Sequence, residues 1–165
     1  MTYHEELAEI PPATIAYVDE TGIDNYLYRE YAYSPRGEPV YGEVIGRRYK
    51  RTGLVAAQLN GKILAPLQYD GTMDSKLFEY WFGHLLMREL PANSVVVMDN
   101  AAFHRKSRLP LLSQSFGHRL IFLPPYSPEL NPIEHFWAWI KKHLRKILPL
   151  AESLDDALFD CFQLP

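Results

Sequence analysis

The sequence predicts an α/β fold in which a mixed five-stranded sheet is flanked by helices. Five short segments have the apolar or alternating pattern of strands, and three longer segments carry apolar residues at helical spacing. Their order is strand, loop-rich stretch, hairpin, helix, strand, helix, strand, helix, which is typical of a sheet layered with helices. Because 165 residues is an ordinary size for one domain, we expect a single domain over residues 1–165.

The five strands are predicted at residues 14–19, 49–59, 62–69, 94–98 and 118–123. Asn60 and Gly61 join the second strand to the third, and this dipeptide is a strong signal for a two-residue β-hairpin. The first and fourth segments contain the apolar runs IAYV and SVVVM. Such runs are expected for adjacent parallel strands that are buried in the middle of a sheet.

Helices are predicted at residues 74–90, 107–116 and 132–147, and a fourth is expected to begin at Ser153. The third has the clearest start, with Asn131 at the N-cap position and Pro132 at the first helical position. Prolines stiffen the chain just before it. We therefore expect the first turn of this helix to be held in a fixed position.

The bulk composition excludes several classes of protein. With 47% hydrophobic and 22% charged residues, the chain resembles a globular protein, and no stretch approaches the ~18 apolar residues of a membrane span. The amino terminus is acidic and polar, unlike a secretory signal, so we expect a cytoplasmic protein. Cys161 is the only cysteine, which excludes an intrachain disulfide and a cysteine-based metal site.

The distribution of charge is uneven. A net charge of −3 argues against a nucleic-acid partner, but residues 101–148 hold eight Lys or Arg against two Glu, a local balance of +6. The eight are Arg105, Lys106, Arg108, Arg119, Lys141, Lys142, Arg145 and Lys146. These residues could form a DNA-binding surface or only a solvated helix face, and charge alone leaves both interpretations open.

Three carboxylates are predicted to meet at one end of the sheet. Asp19 ends the first strand, Asp99 follows the fourth, and Glu134 lies in the first turn of the last long helix. Taken singly, each has an ordinary explanation as a turn former or a helix-capping residue. Taken together, they are delivered to the same end of adjacent strands, where carboxylates repel one another unless a cation binds between them.

Oxygen ligands without cysteine select a hard cation, Mg²⁺ or Mn²⁺, which keeps coordination positions open for water and phosphate. Two such ions roughly 3.5 to 4 Å apart would clamp the attacking and leaving oxygens of a phosphoryl transfer without a protein nucleophile. The sequence contains no G-x-S-x-G elbow, P-loop or paired-histidine zinc motif that would support another chemistry.

Two motifs resemble a known family. They are DNAAFH from Asp99 to His104, and LPPYSPELNPIEHFW from Leu123 to Trp137. With 34 residues between Asp99 and Glu134, they resemble the catalytic domain of mariner-superfamily DDE transposases, in the bacterial insertion-sequence branch. The first acid fits as well, in the run YVDETG, and the resemblance covers residues 13–148.

The resemblance implies a ribonuclease H-like fold in which Asp19, Asp99 and Glu134 are the catalytic metal ligands. It implies two Mg²⁺ ions, for which Mn²⁺ can substitute. Water would first cut at the transposon ends, and the freed 3′-hydroxyl would then attack target DNA, usually at a TA dinucleotide. The expected assembly is a homodimer on DNA, associated with the bacterial nucleoid when bound.

Family members carry helix-turn-helix units before the catalytic domain, whereas this chain starts almost at its first strand. We therefore expect end recognition to come from an upstream reading frame. The alternative is a truncated, non-catalytic remnant that pairs with full-length transposase and modulates it. A ribonuclease or repair nuclease of the same fold is disfavoured by the specificity of the proline-rich motif.

Other residues of the motifs are candidates for supporting roles. Asn100 and His104 could orient a ligand or contact phosphate, although a histidine there could equally pack or cap. The expected DNA contacts are Arg105, Lys106, Tyr126, Ser127, Lys141, Lys142 and Arg145. A second basic cluster comprises Arg47, Arg48, Lys50 and Arg51, and the loop of residues 26–46 could clamp DNA or a partner. Because Trp137 and Trp139 cannot share a helix face, at least one should be buried.

Overall fold

Five strands form one mixed sheet in the computed structural model, which describes residues 1–23, 36 and 51–164. The strands are β1 (Ile15–Ile23), β2 (Thr52–Leu59), β3 (Lys62–Asp70), β4 (Val95–Met98) and β5 (Arg119–Phe122). Their order across the sheet is β3-β2-β1-β4-β5. β1, β4 and β5 run parallel, while β2 is antiparallel to both β1 and β3. All five predicted strands and the adjacency of the first and fourth are confirmed.

The helices of the described chain are α1 (Tyr3–Ala8), α2 (Ser75–Trp81), α3 (Met87–Glu89), α4 (Leu109–Ser115), α5 (Ile133–Ile147) and α6 (Leu154–Gln163). The short α1 was not predicted; Thr2 and Glu5 form a capping box at its start. The predicted fourth helix is α6, which begins one residue after Ser153, and the Ser153 side chain caps it. None of the helices in this part of the chain is long and apolar enough to cross a bilayer.

The predicted helix over residues 74–90 is interrupted. It begins after Asp74, whose carboxylate accepts from the Leu77 amide at 2.8 Å, and it changes to a π-helical segment at Phe82–Leu86 before α3. Phe78 and Trp81 are fully buried, and the Trp81 indole donates to the Ala65 carbonyl at 2.7 Å. This bond fastens α2 to β3 on one face of the sheet.

The first strand is longer than predicted. It does not end at Asp19 but continues to Ile23, which pairs with Thr52 of β2. β2, its antiparallel partner, supplies hydrogen bonds past the end of β4. The chain therefore stays extended after Asp19, and no turn forms there. Asp19 therefore lies in the middle of β1. The predicted start of the second strand at residue 49 lies outside the described residues, as do Arg47, Arg48, Lys50 and, apart from residue 36, the loop of residues 26–46.

The capping role predicted for Asn131 is wrong. α5 begins at Ile133 with Pro132 as its N-cap residue, and no side chain caps it. The Asn131 side chain instead turns inward, where it is 3% exposed and its Nδ2 donates to the Val18 carbonyl at 3.2 Å. Since this bond joins the start of α5 to β1, it holds the helix against the sheet rather than completing the helix.

The sheet separates two apolar cores, because successive side chains of a strand point to opposite faces. Val18 and Val55 pack with Phe78 and the helices on one face, called here the α2 face. On the other, called the α5 face, Ile23, Leu54 and Ala56 pack with buried residues of α5 and α6. β4 ends at Met98, and β1 and β2 extend past this point to form one edge of the sheet.

Candidate active site

The three predicted acids line one pocket of about 420 Å³ at this edge of the sheet. Tyr17 of β1 pairs with Val97 of β4, so Asp19 and Asp99 stand level with each other, two residues further along parallel strands. Glu134 enters from the first turn of α5. The sequence separates these residues by up to 115 positions, and strand pairing together with the anchored helix start brings them together.

Asp19 is linked to α5 directly. Trp137, one turn after Glu134, is 2% exposed, and its indole Nε1 donates to Asp19 Oδ2 at 3.2 Å. Trp139 is 40% exposed, so the expectation that at least one of the two is buried is confirmed. The carboxylate and the helix that carries Glu134 are thus held to one another.

The electrostatics of Asp19 indicate a site that requires positive charge. Burial, together with the negative charges of Glu134, Glu20 and Asp99, raises the pKa of the Asp19 carboxyl to about 8. A cation bound among these groups would reverse the shift, because it favours the ionised carboxylate. In its absence Asp19 is protonated at neutral pH.

Glu20 is a fourth carboxylate, and it was not predicted to belong to the site. Its side chain is 12% exposed, and its Oε1 lies 3.1 Å from His104 Nε2. His104 Nδ1 in turn lies 3.2 Å from Asp99 Oδ1 and 3.1 Å from the Asp99 carbonyl. The only signal in the sequence is that Glu20 follows Asp19, which is common on a strand and is not diagnostic.

Glu20, Asp99 and His104 also lie close enough together to suggest a metal site, with donor atoms within 4.8 Å of one another. Burial by itself lowers the pKa of His104, but hydrogen bonds to Asp99 and Glu20 outweigh it and raise the pKa to about 9. Through these hydrogen bonds His104 links Glu20 to Asp99, and the cluster supports Asp99 in its position.

The same contact keeps Asp99 charged. The hydrogen bond from His104 lowers the pKa of the Asp99 carboxyl, and a bond from the Ala101 amide acts in the same direction. Asn100, the other supporting candidate, donates from Nδ2 to the Leu123 carbonyl at 2.8 Å. That bond joins the loop after β4 to the end of β5, while Asn100 itself lines the pocket.

The predicted DNA contacts fall into two groups. Tyr126 and Ser127 line the acidic pocket, and Tyr126 is fully exposed with a left-handed backbone, φ 56°. The remaining five do not line it: Arg105, Lys106, Lys141, Lys142 and Arg145. Arg105 pairs with Glu79 at 3.4 Å, and the Lys106 ammonium lies over the Phe122 ring at 5.7 Å.

Trp137→Phe should keep the core filled while it removes the hydrogen bond to Asp19. We expect the affinity of the acidic pocket for Mg²⁺ to fall about tenfold, as when an outer partner of a metal ligand is lost. Calorimetric titration with Mg²⁺ measures this affinity. Trp139→Phe is the matched control, and equal Mg²⁺ affinities for the two variants would contradict a role for the indole.

The sheet order, its strand directions and its flanking helices define a ribonuclease H-like domain, as the family resemblance implies. A family model described as DDE superfamily endonuclease matches residues 14–155 of this chain. The chain therefore belongs to the DDE superfamily endonuclease family.

Two solved structures share this fold. Mos1 transposase in its paired-end complex with the left transposon end superimposes with a TM-score of 0.68 at 18% identity, over 96% of this chain and 54% of that chain. The Mos1 transposase catalytic domain with raltegravir and Mg gives a TM-score of 0.59 at 16% identity, over 96% of this chain and 81% of that one. At these identities the likeness concerns the fold.

In sequence, the chain is 40% identical over 50 residues to the uncharacterized protein y4pE/y4sA of Sinorhizobium fredii. The aligned stretch covers 30% of this chain and 35% of that protein. The chain thus spans about half the length of the full Mos1 transposase chain and aligns with about a third of this relative.

Proposed function

We propose that this chain is the catalytic domain of a DNA transposase, which cleaves DNA at transposon ends and transfers the freed 3′-hydroxyl into target DNA. The observation that carries the proposal is the convergence of Asp19, Asp99 and Glu134 on one pocket of a DDE-family domain. The Mos1 transposase, which shares the fold, has been solved with a transposon end.

The donor set fits a divalent cation. Three carboxylates provide only hard oxygen ligands, and the raised pKa of Asp19 is the expected mark of an acidic cluster in need of positive charge. We assign two Mg²⁺ ions to Asp19, Asp99 and Glu134, with Mn²⁺ as a substitute. When bound, the ions would supply Lewis-acid activation of water and of the 3′-hydroxyl.

The chain's own residues prepare the ligands for this role. Trp137 orients Asp19 by a hydrogen bond, and His104 orients Asp99 and keeps it ionised. Asn131 joins the helix start that carries Glu134 to β1. Pre-positioned ligands reduce the reorganisation that binding and reaction would otherwise require.

DNA contacts are proposed at two distances from the acids. Tyr126 and Ser127 stand on the pocket wall, and the exposed Tyr126 ring offers a stacking surface for a base near the reacting phosphate. Lys141, Lys142 and Arg145 on α5, with Arg105 and Lys106, would bind the backbone further away. Their contribution to affinity would decline with salt.

The proposed assembly is a homodimer on DNA that inserts at a TA dinucleotide, with end recognition by helix-turn-helix units outside the domain of residues 1–165. The alternative, a non-catalytic remnant that modulates a full-length transposase, is not favoured. A protein selected only for pairing would have no need of three acids directed at one pocket, nor of Trp137 and His104 bound to them.

Nicking of supercoiled plasmid by the purified chain at low salt tests the proposal. We expect nicking with Mg²⁺ or Mn²⁺, none with a chelator, and none from the Asp99→Asn variant, which also controls for contaminating nucleases. Asp160→Asn, an exposed acid on α6, should behave as wild type. Equal nicking by wild type and Asp99→Asn, or nicking that survives the chelator, would overturn the assignment.

A further inference from the structure

A second groove lies beside the same acids, on the α2 face of the sheet. It has a volume of about 300 Å³ and shares Asp19, Asp99 and Ala101 with the pocket that contains Glu134. Its floor is the part of β1 and β2 that extends past the end of β4. The acids therefore stand between two grooves, one on each side of the sheet edge.

Two glycines form the floor of this groove. Gly22 of β1 pairs with Gly53 of β2, and Gly53 pairs with Tyr69 of β3. A Cβ atom at Gly22 would lie 2.8 Å from Cζ of Arg51, and one at Gly53 would lie 2.6 Å from the Tyr69 hydroxyl. Real side chains do not approach so closely, so a side chain at Gly22 would displace the Arg51 guanidinium and one at Gly53 would displace the Tyr69 ring.

Arg51 is unusual in its charge environment. Among the described residues that line either groove it is the only Lys or Arg, whereas the acids number four: Asp19, Glu20, Asp99 and Glu134. No carboxylate of a described residue forms an ion pair with it, in contrast to Arg105 and Arg108, which pair with Glu79. Arg51 is an exposed residue, and its guanidinium thus retains its capacity to bind a phosphate.

We propose that the groove over Gly22 and Gly53 is a second DNA-binding site of this domain, in which Arg51 binds a backbone phosphate of the strand that passes the acids. The proposal rests on the proposed function, since it assumes that the acids face DNA. It also accounts for Gly22 in the DETG run, whose backbone conformation does not itself require glycine. The absence of a side chain at Gly22 leaves the space that the Arg51 side chain occupies.

Tyr69 would complete the site as a neutral donor. Burial and the charge of Glu20 together raise the pKa of Tyr69 to about 12, although the charge of Arg51 opposes this shift. The phenol is therefore protonated at neutral pH and can donate to a phosphate oxygen without adding negative charge. An arginine and a phenol together suit one phosphodiester group.

The salt dependence of DNA binding tests this site. Fluorescence anisotropy of a labelled duplex, at fixed Mg²⁺ and rising NaCl, gives the slope of log K against log salt. The slope is negative, and loss of one phosphate contact reduces its magnitude by about 0.9, which we expect for Arg51→Gln. Arg51→Lys should retain most of the slope, and Lys62→Gln, at the opposite end of β3, should retain all of it.

Gly22→Ala tests whether glycine at this position holds Arg51 in place. It should reduce the magnitude of the salt slope as Arg51→Gln does. The double variant should show no larger reduction than Arg51→Gln alone, because both changes remove the same phosphate contact. Thermal unfolding verifies that each variant is folded. A wild-type slope in Arg51→Gln, additive losses in the double variant, or a wild-type chain without salt-dependent DNA binding would overturn the proposal.

The plasmid-nicking assay separates this inference from the proposed function. If the chain binds DNA through Arg51 but never nicks it, the DNA-binding site at Arg51 is supported and the proposed catalytic function is contradicted. If the chain nicks DNA but Arg51→Gln leaves the salt slope unchanged, the catalytic function is supported and the site at Arg51 is contradicted.

Discussion

Glu134→Gln is expected to lower the rate of metal-dependent DNA cleavage by about 10³-fold or more, because several kcal/mol of transition-state stabilisation depend on the metal site. The amide keeps the size of the side chain but removes the charge. Glu134 is exposed at the start of α5, so the core around Ile133 and Trp137 should be undisturbed. Single-turnover nicking rates measure the effect.

Glu129→Gln is the matched control. Glu129 is an exposed glutamate five residues earlier, in the proline-rich loop before α5, and it does not line the acidic pocket. The Glu129→Gln variant should cleave DNA at the wild-type rate. If Glu134→Gln retained more than a tenth of wild-type activity, or if both variants lost activity equally, Glu134 would not be a metal ligand.

Asp19→Asn should stabilise the metal-free protein at neutral pH while it abolishes cleavage. The pKa of Asp19 is about 8 in the folded chain and near its ordinary value in the unfolded one. Between these values the folded state holds a proton that the unfolded state has released, so stability falls as pH rises, by at most about 1.4 kcal/mol per pH unit. The amide does not titrate. At pH 7 we therefore expect the free energy of unfolding of Asp19→Asn to exceed that of wild type by about 2 to 4 kcal/mol.

Denaturant unfolding with a chelator, from pH 4 to pH 9, measures this difference. His104, whose raised pKa of about 9 also makes stability fall as pH rises, is common to both proteins and cancels in the comparison. Asp160→Asn serves as the control for loss of a carboxylate, since Asp160 is exposed on α6. An Asp19→Asn variant whose stability parallels that of wild type at every pH would contradict the raised pKa.

Much of the fold could be predicted because local patterns agree with the tertiary structure. The Asn60-Gly61 turn adopts positive φ at both residues, as the hairpin requires, and the apolar runs before Asp19 and Asp99 form adjacent parallel strands. The motif and its spacing selected the three acids that line one pocket. Their metal-binding role stays a prediction until the variants are measured.

The sequence by itself determined the order of elements, the hairpin and the identity of the three acids, since these depend on short-range periodicity, turn chemistry and motif spacing. Only the tertiary structure decided that Glu20 supports Asp99 through His104, 84 residues away, and that Asn131 bonds to β1. It also decided that the Arg51 guanidinium lies against Gly22. Such contacts depend on strand register and on which face of the sheet a side chain occupies, and strand pairing sets both between residues distant in sequence.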